Sequence, residues 1–577
     1  MKRRLIISLN EWTVFLAFIA LWQQREILLV HVDPIVPMAK GALTRVSNWL
    51  VRTERARNLI DIIPELQHIY DGGGEPYLYN IFGKIELWQN TKFGFQEIDD
   101  RLPDYAMAYK STVCQFVRDR YGSILLLNSI FSKSIDNDRF AGLNDCVLGG
   151  VKAYNPKVPI PCSAFPTKLL YSLINFFFAN ALITVTVFWT LKKFRFSNVL
   201  GDNPFIMVDY YPHPGIENLI NDLALETDPM ILMRFQGGGD KEKKFLTRFK
   251  VILRTDGFLP LSEMAGAIKI AVLDIFRIYR NLGQVEPQLF FEIGKLPFKR
   301  IAYRSIFQRY KPKYFFGRDE YFADHIIRRQ ELNRIGSISL GNLHGIPHQA
   351  YLRATFRYIN YDRFYVNGRA ICRHYADTWA KNMEVVVAGS YAGTRDDIDF
   401  IGRDRPQDIA IFAAIFMGHS RFVEIVRSIA AAFPDRTIWL ETKSNYRLRR
   451  GDSFINECAR GLSNVHHTDE PLFSIFRKVS YVISDPSNAA MEAVQFGLNT
   501  FVADISDIHE ECIFREFPDM CISSAQQAID RIRSIEDGSW RYPREKFDDL
   551  IAVSGFNFLD IVRHDLGLPS HISPNLA

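Results

Sequence analysis

The chain has 577 residues, more than one hydrophobic core normally organises, so we expect about two to four domains. Hydrophobic residues make up 47% and charged residues 23% of the sequence, which excludes an extensively disordered chain. The formal net charge of +5 is small for this length and gives no support to a nucleic-acid partner.

The N-terminal region begins with two short apolar runs separated by a helical pattern. Residues 4–9 and 26–32 predict strands and residues 11–24 predict a helix, so the chain opens as a βαβ unit. Basic residues before an apolar stretch are also typical of a signal anchor. We favour the soluble interpretation, because Glu11 inside the stretch would cost roughly 2.5–3.5 kcal/mol in lipid. Residues 1–167 are therefore assigned to an N-terminal α/β region of unknown role.

The strongest single-segment signal is the charge-free stretch 169–191, LLYSLINFFFANALITVTVFWTL. As a helix it is long enough to cross a hydrocarbon layer of about 30 Å. Lys192, Lys193 and Arg195 follow it, and the positive-inside bias then places the downstream chain in the cytoplasm. We predict a membrane-type helix within residues 168–195.

Two alternatives to a membrane span stay open for this helix. Asn175 and Asn180 make it only moderately apolar, which also suits a buried core helix. If residues 1–167 are cytoplasmic, one span cannot leave both flanks on the same side, and the helix must lie in the membrane interface or inside the protein. The basic residues between Lys241 and Lys313 form either a solvated helix face or a surface attracted to anionic lipid headgroups.

The middle of the chain alternates short apolar runs with helical patterns. Each run ends in Gly, Asp, Asn or Ser, as buried parallel strands do when helices cover both faces of their sheet. We predict a Rossmann-like domain over residues 196–400. The runs in its second half are 312–316, 338–340, 363–366 and 385–388.

The alternation restarts after the polar linker 391–408. A continuous apolar strand is predicted from residue 409, followed by a helix over 420–433 with apolar residues on one face. Further strands are predicted around 437–440, 465, 479–483 and 500–503. We predict a doubly wound domain over residues 401–577, with its ligand beyond the carboxyl ends of the strands.

The sequence VISDPSNAAMEAVQFG places a polar turn between a strand and a helix. Ser484 and Ser487 lie in the turn, and Ser487 or Asn488 is a natural N-cap. A helix start presents unpaired amides and a positive dipole end, which suits the phosphates of a nucleotide. Glu492, about one turn in, can accept hydrogen bonds from a ribose diol. The alternative is an ordinary capped helix with Glu492 in solvent.

This order of strand, Ser-x-x-Ser turn, helix with Glu-Ala, and glycine resembles the donor domain of two-domain (GT-B) glycosyltransferases. The nearest resemblance is to bacterial capsule and surface-polysaccharide sugar transferases and to CDP-glycerol glycerophosphotransferases, over roughly residues 317–504. The resemblance implies that Ser484, Ser487 and Asn488 bind the donor phosphates and that Glu492 binds the donor ribose. Asn499 stands where these families often have Pro, and no second glutamate lies at the spacing typical of retaining enzymes, so stereochemical retention or inversion is not predicted.

Other polar residues at predicted strand ends suit the same crevice. His419 and Ser420 open a predicted helix and Lys443 supplies a cation, which suits a donor pyrophosphate. His467 lies in a predicted loop that can contact the donor base or sugar.

The sequence GNLHGIPHQ places His344 between a strand and a helix in the middle domain. It resembles the His-Gly element that such transferases carry in the acceptor domain. A histidine near neutrality can remove the proton from an acceptor hydroxyl, so we predict His344 as the catalytic base, with His348 as a weaker second candidate. No Asp-x-Asp pair stands at a suitable strand end, and we predict metal-independent chemistry with no cofactor besides the nucleotide-activated donor.

We therefore predict an α/β enzyme of two Rossmann-like domains that transfers a sugar, or a polyol phosphate, from a nucleotide-sugar or CDP-polyol donor. The resemblance implies a lipid-linked or surface-polysaccharide acceptor and a location at the bacterial inner membrane, with the catalytic part in the cytoplasm. A nucleotide-sugar epimerase of the same fold and a non-catalytic polysaccharide-assembly protein are the alternatives.

Overall fold

The structure is a computed structural model that contains three parallel β-sheets. It describes residues 4–9, 11, 13–24, 26–32, 39–58, 102–116, 147–149, 165–193, 203–233, 240–285, 287–317, 322–343, 345, 358–374, 383–393, 397, 404–414, 420–442, 452–505, 513–553 and 558–569.

The N-terminal sheet has four strands in the order β3-β2-β1-β4, all parallel. The predicted βαβ opening is confirmed, because β1 and β2 have the predicted bounds and the helix between them begins only two residues later than predicted. The elements of this region are β1 Arg4–Leu9, helix Thr13–Trp22, β2 Glu26–Val32, helix Lys40–Arg52, β3 Ala56–Asn58 and β4 Val147–Gly149.

The middle sheet has seven parallel strands in the order β7-β6-β5-β8-β9-β10-β11. Relative to the first strand of the domain this is the order 3-2-1-4-5-6-7, so the direction of winding reverses between β5 and β8. Its strands are β5 Ile206–Asp209, β6 Met230–Met233, β7 Lys250–Leu253, β8 Tyr314–Gly317, β9 Ile338–Asn342, β10 Arg363–Val366 and β11 Glu384–Val387.

Helices cover both faces of this sheet, as parallel strands buried on both sides require. One face buries Ile206 and Val208 and the other buries Met207, so alternate residues of β5 enter different cores. The helices are Pro214–Leu223, Asp240–Leu246, Leu261–Leu282, Pro287–Gly294, Leu296–Tyr310, Asp324–Asn333 and Ala370–His374, with a 3₁₀ turn at Arg254–Asp256.

The last sheet has six parallel strands in the order β14-β13-β12-β15-β16-β17. This is the 3-2-1-4-5-6 order of a dinucleotide-binding fold, with its reversal between β12 and β15. The strands are β12 Ile409–Ala413, β13 Ile438–Thr442, β14 Val465–His467, β15 Tyr481–Ser484, β16 Asn499–Ala503 and β17 Cys521–Ile522. The helices are Ser420–Ala432, Asp452–Ala459, Leu472–Phe476, Asn488–Gln495 and Ala525–Glu536, with 3₁₀ turns at Ile513–Glu516 and Arg544–Phe547.

The final helix, Phe558–Asp565, returns to the seven-stranded domain although it follows the six-stranded one in the chain. Phe558 and Val562 join the core that contains Ile206 and Val208. The Nη1 atom of the buried Arg563 donates to the carbonyl oxygen of Asp222 at 3.1 Å. The two domains are therefore connected both through the linker and through this returning helix.

The predicted apolar helix extends over Phe165–Lys193. Its segment Tyr171–Lys192 is long and apolar enough to cross a membrane, and 28% of the most apolar window is buried inside the protein. The buried stripe packs against the helices Leu261–Leu282 and Pro287–Gly294. The residues of this stripe are Asn175, Ala179, Leu182, Thr186 and Thr190.

Candidate functional site between the two Rossmann-like domains

The polar turn after β15 lies at the point where the six-stranded sheet reverses its winding. Asp485 directly follows β15, and its Oδ2 accepts a hydrogen bond from the amide of Ala414, which directly follows β12, at 2.6 Å. The Ser484 hydroxyl donates to the Asp485 carbonyl at 2.7 Å and lies 2.9 Å from the Ser487 hydroxyl. The turn is therefore held across the crevice in which doubly wound sheets bind their ligands.

The helix Asn488–Gln495 begins without a side-chain cap from its N-cap residue. Ser487 has an extended backbone, with φ −150° and ψ 167°, but its hydroxyl accepts no hydrogen bond from the first turn. A helix of this length concentrates positive partial charge at its first amides. The start of this helix can accordingly bind an anionic group.

The loop after β9 in the other domain contacts this helix start. A Cβ atom placed on Gly345 would lie 3.2 Å from Asn488 Nδ2, so glycine permits the close approach. The carboxyl ends of the two sheets thus face each other, with the helix Asn488–Gln495 directed at the gap.

The opposite end of the same helix contacts the segment after β11. The Ser390 hydroxyl donates to Glu492 Oε1 at 2.9 Å, and the Ser390 amide donates to Gln495 Oε1 at 2.9 Å. Gly389 has φ +71°, and a Cβ there would lie only 2.1 Å from Gln495 Nε2. Glu492 is half-buried and faces the other domain, in contrast to the alternative that places it in solvent.

Two glutamates of the six-stranded domain hold protons unusually tightly. Burial, with the nearby Glu441 charge adding to it, raises the pKa of Glu492 to about 7, although the Ser390 hydrogen bond opposes this. Burial raises the pKa of Glu441 to about 7 as well, and Asp469 and Asp485 contribute. Glu441 lies in register with Phe412 and, one strand further, with Ser484, so these side chains share a sheet face.

Glu441 is a site residue that the sequence interpretation missed. Its signal is a carboxylate inside an otherwise apolar strand, one residue before the strand's carboxyl end, in TIWLET. Burying a charged group at such a position is unfavourable, which makes Glu441 a candidate for a functional role in the adjacent crevice.

We expect these two raised pKa values to make the protein less stable as the pH rises from about 5 to 8. Both folded-state values lie above the ordinary 4.5, so the folded protein retains protons that the unfolded chain releases. The stabilising contribution of these two carboxyl groups is fully present below about pH 4.5 and is lost as the pH rises through about 7. Between pH 5 and pH 8, Glu441→Gln should lose less unfolding free energy than the parent does, by on the order of 3 kcal/mol.

Urea unfolding at the two pH values measures this difference. Glu424→Gln, an exposed carboxylate on the helix Ser420–Ala432, is the matched control and should leave the pH dependence of the parent unchanged. A Glu441→Gln variant with the same pH dependence as the parent would contradict the assignment.

A histidine and two tyrosines lie at the carboxyl end of β5, where the seven-stranded sheet reverses. The hydroxyl groups of Tyr211 and Tyr391 are 3.0 Å apart, and the His213 ring stacks on Tyr391 at 5.1 Å between centroids. His213 Nδ1 accepts from the Gly215 amide at 3.1 Å, capping the helix Pro214–Leu223. A neutral ring with an acceptor Nδ1 carries its proton on Nε2.

Six of the predicted donor-binding residues lie within the described part of the chain, four of them in the turn and helix after β15. Ser484, Ser487, Asn488 and Glu492 share the crevice beside β15. Ser420 is exposed at the start of the helix after β12. His467 ends β14, two strands away from β12 in the sheet, with its Nε2 3.7 Å from Asp469 Oδ1.

Four predicted site residues lie outside the described residues: His344, His348, His419 and Lys443. Their roles stay predictions. Within the described part of the chain, no group of three or more His, Cys, Asp or Glu side chains is arranged to hold a metal ion.

No protein-family model matches the sequence, and no curated protein gives a significant match. Solved structures do match its fold. The glycotransferase of kitacinnamycin is 13% identical with a TM-score of 0.38, covering 64% of this chain and 100% of that chain. MnaA of S. aureus, solved with UDP, is 10% identical with a TM-score of 0.38, at 64% and 100% coverage.

A glycosyltransferase from Rickettsia africae is 11% identical with a TM-score of 0.38, covering 63% of this chain and 97% of that chain. Identities this low concern the fold alone, and TM-scores this low support no statement about substrate or activity. The sheets of the chain define its class: two Rossmann-like domains with facing carboxyl edges, the GT-B-type architecture, preceded by a third α/β region.

Proposed function

We propose that this chain is a glycosyltransferase that moves a sugar, or a polyol phosphate, from a nucleotide-activated donor to a lipid-linked or surface-polysaccharide acceptor. The observation that carries the proposal is the position of the helix Asn488–Gln495, whose start lies in contact with the loop after β9 of the other domain. A donor held at this start is presented to an acceptor held by the opposite sheet.

The donor side supplies the groups that a nucleotide diphosphate requires. The first amides of the helix and the Ser484 and Ser487 hydroxyls can donate to phosphate oxygens. Glu492 can accept from ribose hydroxyls, which would compete with the Ser390 hydroxyl for its carboxylate. In this proposal Ser390 occupies the place of a ribose hydroxyl until the donor arrives.

The acceptor side supplies a base. We propose His344 as that base, because it immediately precedes in the sequence Gly345, the residue that contacts Asn488. A neutral imidazole there can take the proton of an acceptor hydroxyl as the nucleotide leaves. We propose that this chemistry is metal-independent and takes place at the cytoplasmic face of the bacterial inner membrane.

We expect Glu492→Ala to weaken donor binding by about 1–3 kcal/mol, because a half-buried carboxylate that accepts ribose hydroxyls is replaced by a methyl group. Calorimetric titration with UDP-, CDP-, CMP- and GDP-linked sugars measures the affinity. Glu424→Ala, an exposed carboxylate of the same domain, is the control and should bind as the parent does. Unchanged affinity in Glu492→Ala would remove the residue from the site.

The same titrations separate the transferase from its two alternatives. A nucleotide-sugar epimerase would turn the donor over without any acceptor. A non-catalytic assembly protein would bind none of the four donor classes.

A further inference from the structure

We propose that the chain binds in the plane of an anionic lipid surface through the exposed faces of two helices, Phe165–Lys193 and Leu261–Leu282, here called the two-helix face. This docking is independent of the proposed transferase activity. The partner is a bilayer surface, and a second copy of the chain is the alternative that the test below distinguishes.

The first helix cannot cross a bilayer once while the fold is intact, because residues before and after it pack together. The Arg300 guanidinium lies 4.4 Å above the Tyr105 ring, and its Nη2 donates to the Asp104 carbonyl at 3.3 Å. Gln330 Nε2 donates to the same carbonyl at 3.0 Å. Asp104 and Tyr105 precede the helix in the chain and Arg300 and Gln330 follow it, so both flanks lie on one side of any membrane.

The helix is also fixed along its length to a second helix that is unsuited to crossing. Asn175 Nδ2 donates to the carbonyl oxygens of Gly283 and Val285 at 2.9 and 2.8 Å. At the other end, Trp189 packs on the cluster containing Met264 and Ala267. The helix Leu261–Leu282 therefore runs antiparallel beside it.

The second helix exposes Lys269, Arg277 and Arg280 to solvent. A crossing pair would carry these charges through hydrocarbon, which is strongly unfavourable. Lying flat avoids that cost.

The exposed side of the pair carries many large apolar side chains. Phe177 is 63% exposed and Phe188 70% exposed on the first helix, and Phe276 is 58% exposed on the second. Further large apolar side chains on the same exposed faces are Leu169, Leu173, Phe176, Val185, Leu191, Leu261, Ile270 and Leu273. Single exposed apolar residues are normal, but a continuous set on two adjacent helices marks an interaction surface.

The positive charges near these apolar side chains favour an anionic lipid surface as the partner. Lys192 is exposed at the end of the first helix, and Lys269, Arg277 and Arg280 are exposed on the second. The first helix has no carboxylate, and both carboxylates of the second helix are paired, Asp274 with Arg277 at 3.2 Å and Glu263 with Arg304 at 3.3 Å, which leaves Lys192, Lys269 and Arg280 as the uncompensated charges among the side chains described on these two helices. Aromatic and aliphatic side chains bordered by lysine and arginine are typical of helices that lie at an anionic lipid interface. A second copy would bring these like charges against one another.

Flotation of the full-length protein with vesicles tests the proposal. We expect it to float with vesicles of phosphatidylcholine and phosphatidylglycerol, and to bind vesicles of phosphatidylcholine alone at least about fivefold more weakly. Phe177→Ser combined with Phe188→Ser should lower the partition coefficient at least about tenfold. Leu225→Ser, a change at a residue that is 65% exposed away from the two-helix face, should change it less than about twofold.

Two further measurements distinguish the competing arrangements. Arg52→Cys and Glu424→Cys place exposed thiols before and after the helix, and both should react with a membrane-impermeant maleimide on vesicle-bound protein. Protection of either thiol would indicate a crossing helix and overturn the proposal. It is equally overturned if the parent fails to float with anionic vesicles, or if light scattering shows a lipid-free dimer that the double Phe variant converts to a monomer.

Discussion

We expect His344→Ala to lower turnover by about 10²–10⁴-fold while leaving the donor affinity nearly unchanged. The physical reason is that, in the proposed function, the base acts on the acceptor proton in the transition state, whereas groups of the other domain would hold the donor. Steady-state transfer kinetics and calorimetric donor titration measure the two quantities on the same protein.

His564→Ala is the matched control, because that histidine is 88% exposed on the last helix and belongs to no part of the candidate site. It should retain the activity of the parent. Full activity in His344→Ala would exclude the residue as the base.

His213 is the alternative base that the structure adds. It lies at the winding reversal of the seven-stranded sheet, held by Gly215 and Tyr391. If His213→Ala loses turnover and His344→Ala does not, the catalytic base is His213, in the loop after β5. His348→Ala should have the smaller effect of the two predicted histidines.

We expect Arg328→Met to lower the free energy of unfolding by about 3–5 kcal/mol. Arg328 and Asp209 form an ion pair in which both side chains are almost inaccessible to solvent. Burial alone would lower the pKa of Arg328, but the Asp209 charge outweighs it, so the pKa lies above its usual range. Removing the guanidinium leaves the Asp209 carboxylate buried without that partner.

Urea unfolding at neutral pH measures the loss. Arg334→Met, at an arginine that is 48% exposed beside the same helix, should cost less, because its buried partner Glu331 also pairs with Arg300 at 3.3 Å. The double change Asp209→Leu with Arg328→Met should recover part of the loss, because no unpaired charge is then buried. A single variant no less stable than Arg334→Met would show that the pair contributes little.

A neighbouring charged cluster links the helices Leu296–Tyr310 and Asp324–Asn333. Asp324 accepts from Lys299 at 2.7 Å and from the Tyr303 hydroxyl at 2.6 Å. Burial opposes its ionisation, but Lys299 and Arg254 more than compensate, so the pKa of Asp324 lies well below its usual range. None of these partners is close to Asp324 in the sequence, so the pattern of the sequence did not predict the cluster.

Local sequence determined the type and position of most described elements. The strand β10 has the predicted bounds, and Ser487, one of the two predicted N-cap residues, occupies the N-cap position of the helix Asn488–Gln495. Apolar runs bounded by Gly, Asp and Ser specify buried strands, and a polar turn followed by an apolar helix face specifies a helix start, because both depend on residues only a few positions apart. For the same reason the predicted set Ser484, Ser487, Asn488 and Glu492 lies in one crevice.

Tertiary structure decided what depends on residues far apart in the chain. The contact of Gly345 with Asn488 and that of Ser390 with Glu492 join segments more than a hundred residues distant, so no local pattern encodes them. Composition does not distinguish a helix that crosses a membrane from a helix that packs along a domain. Asn175 bonded to Gly283, and Arg300 bonded to Asp104, place the helix Phe165–Lys193 along the domain, because a hydrogen bond requires both partners on the same side.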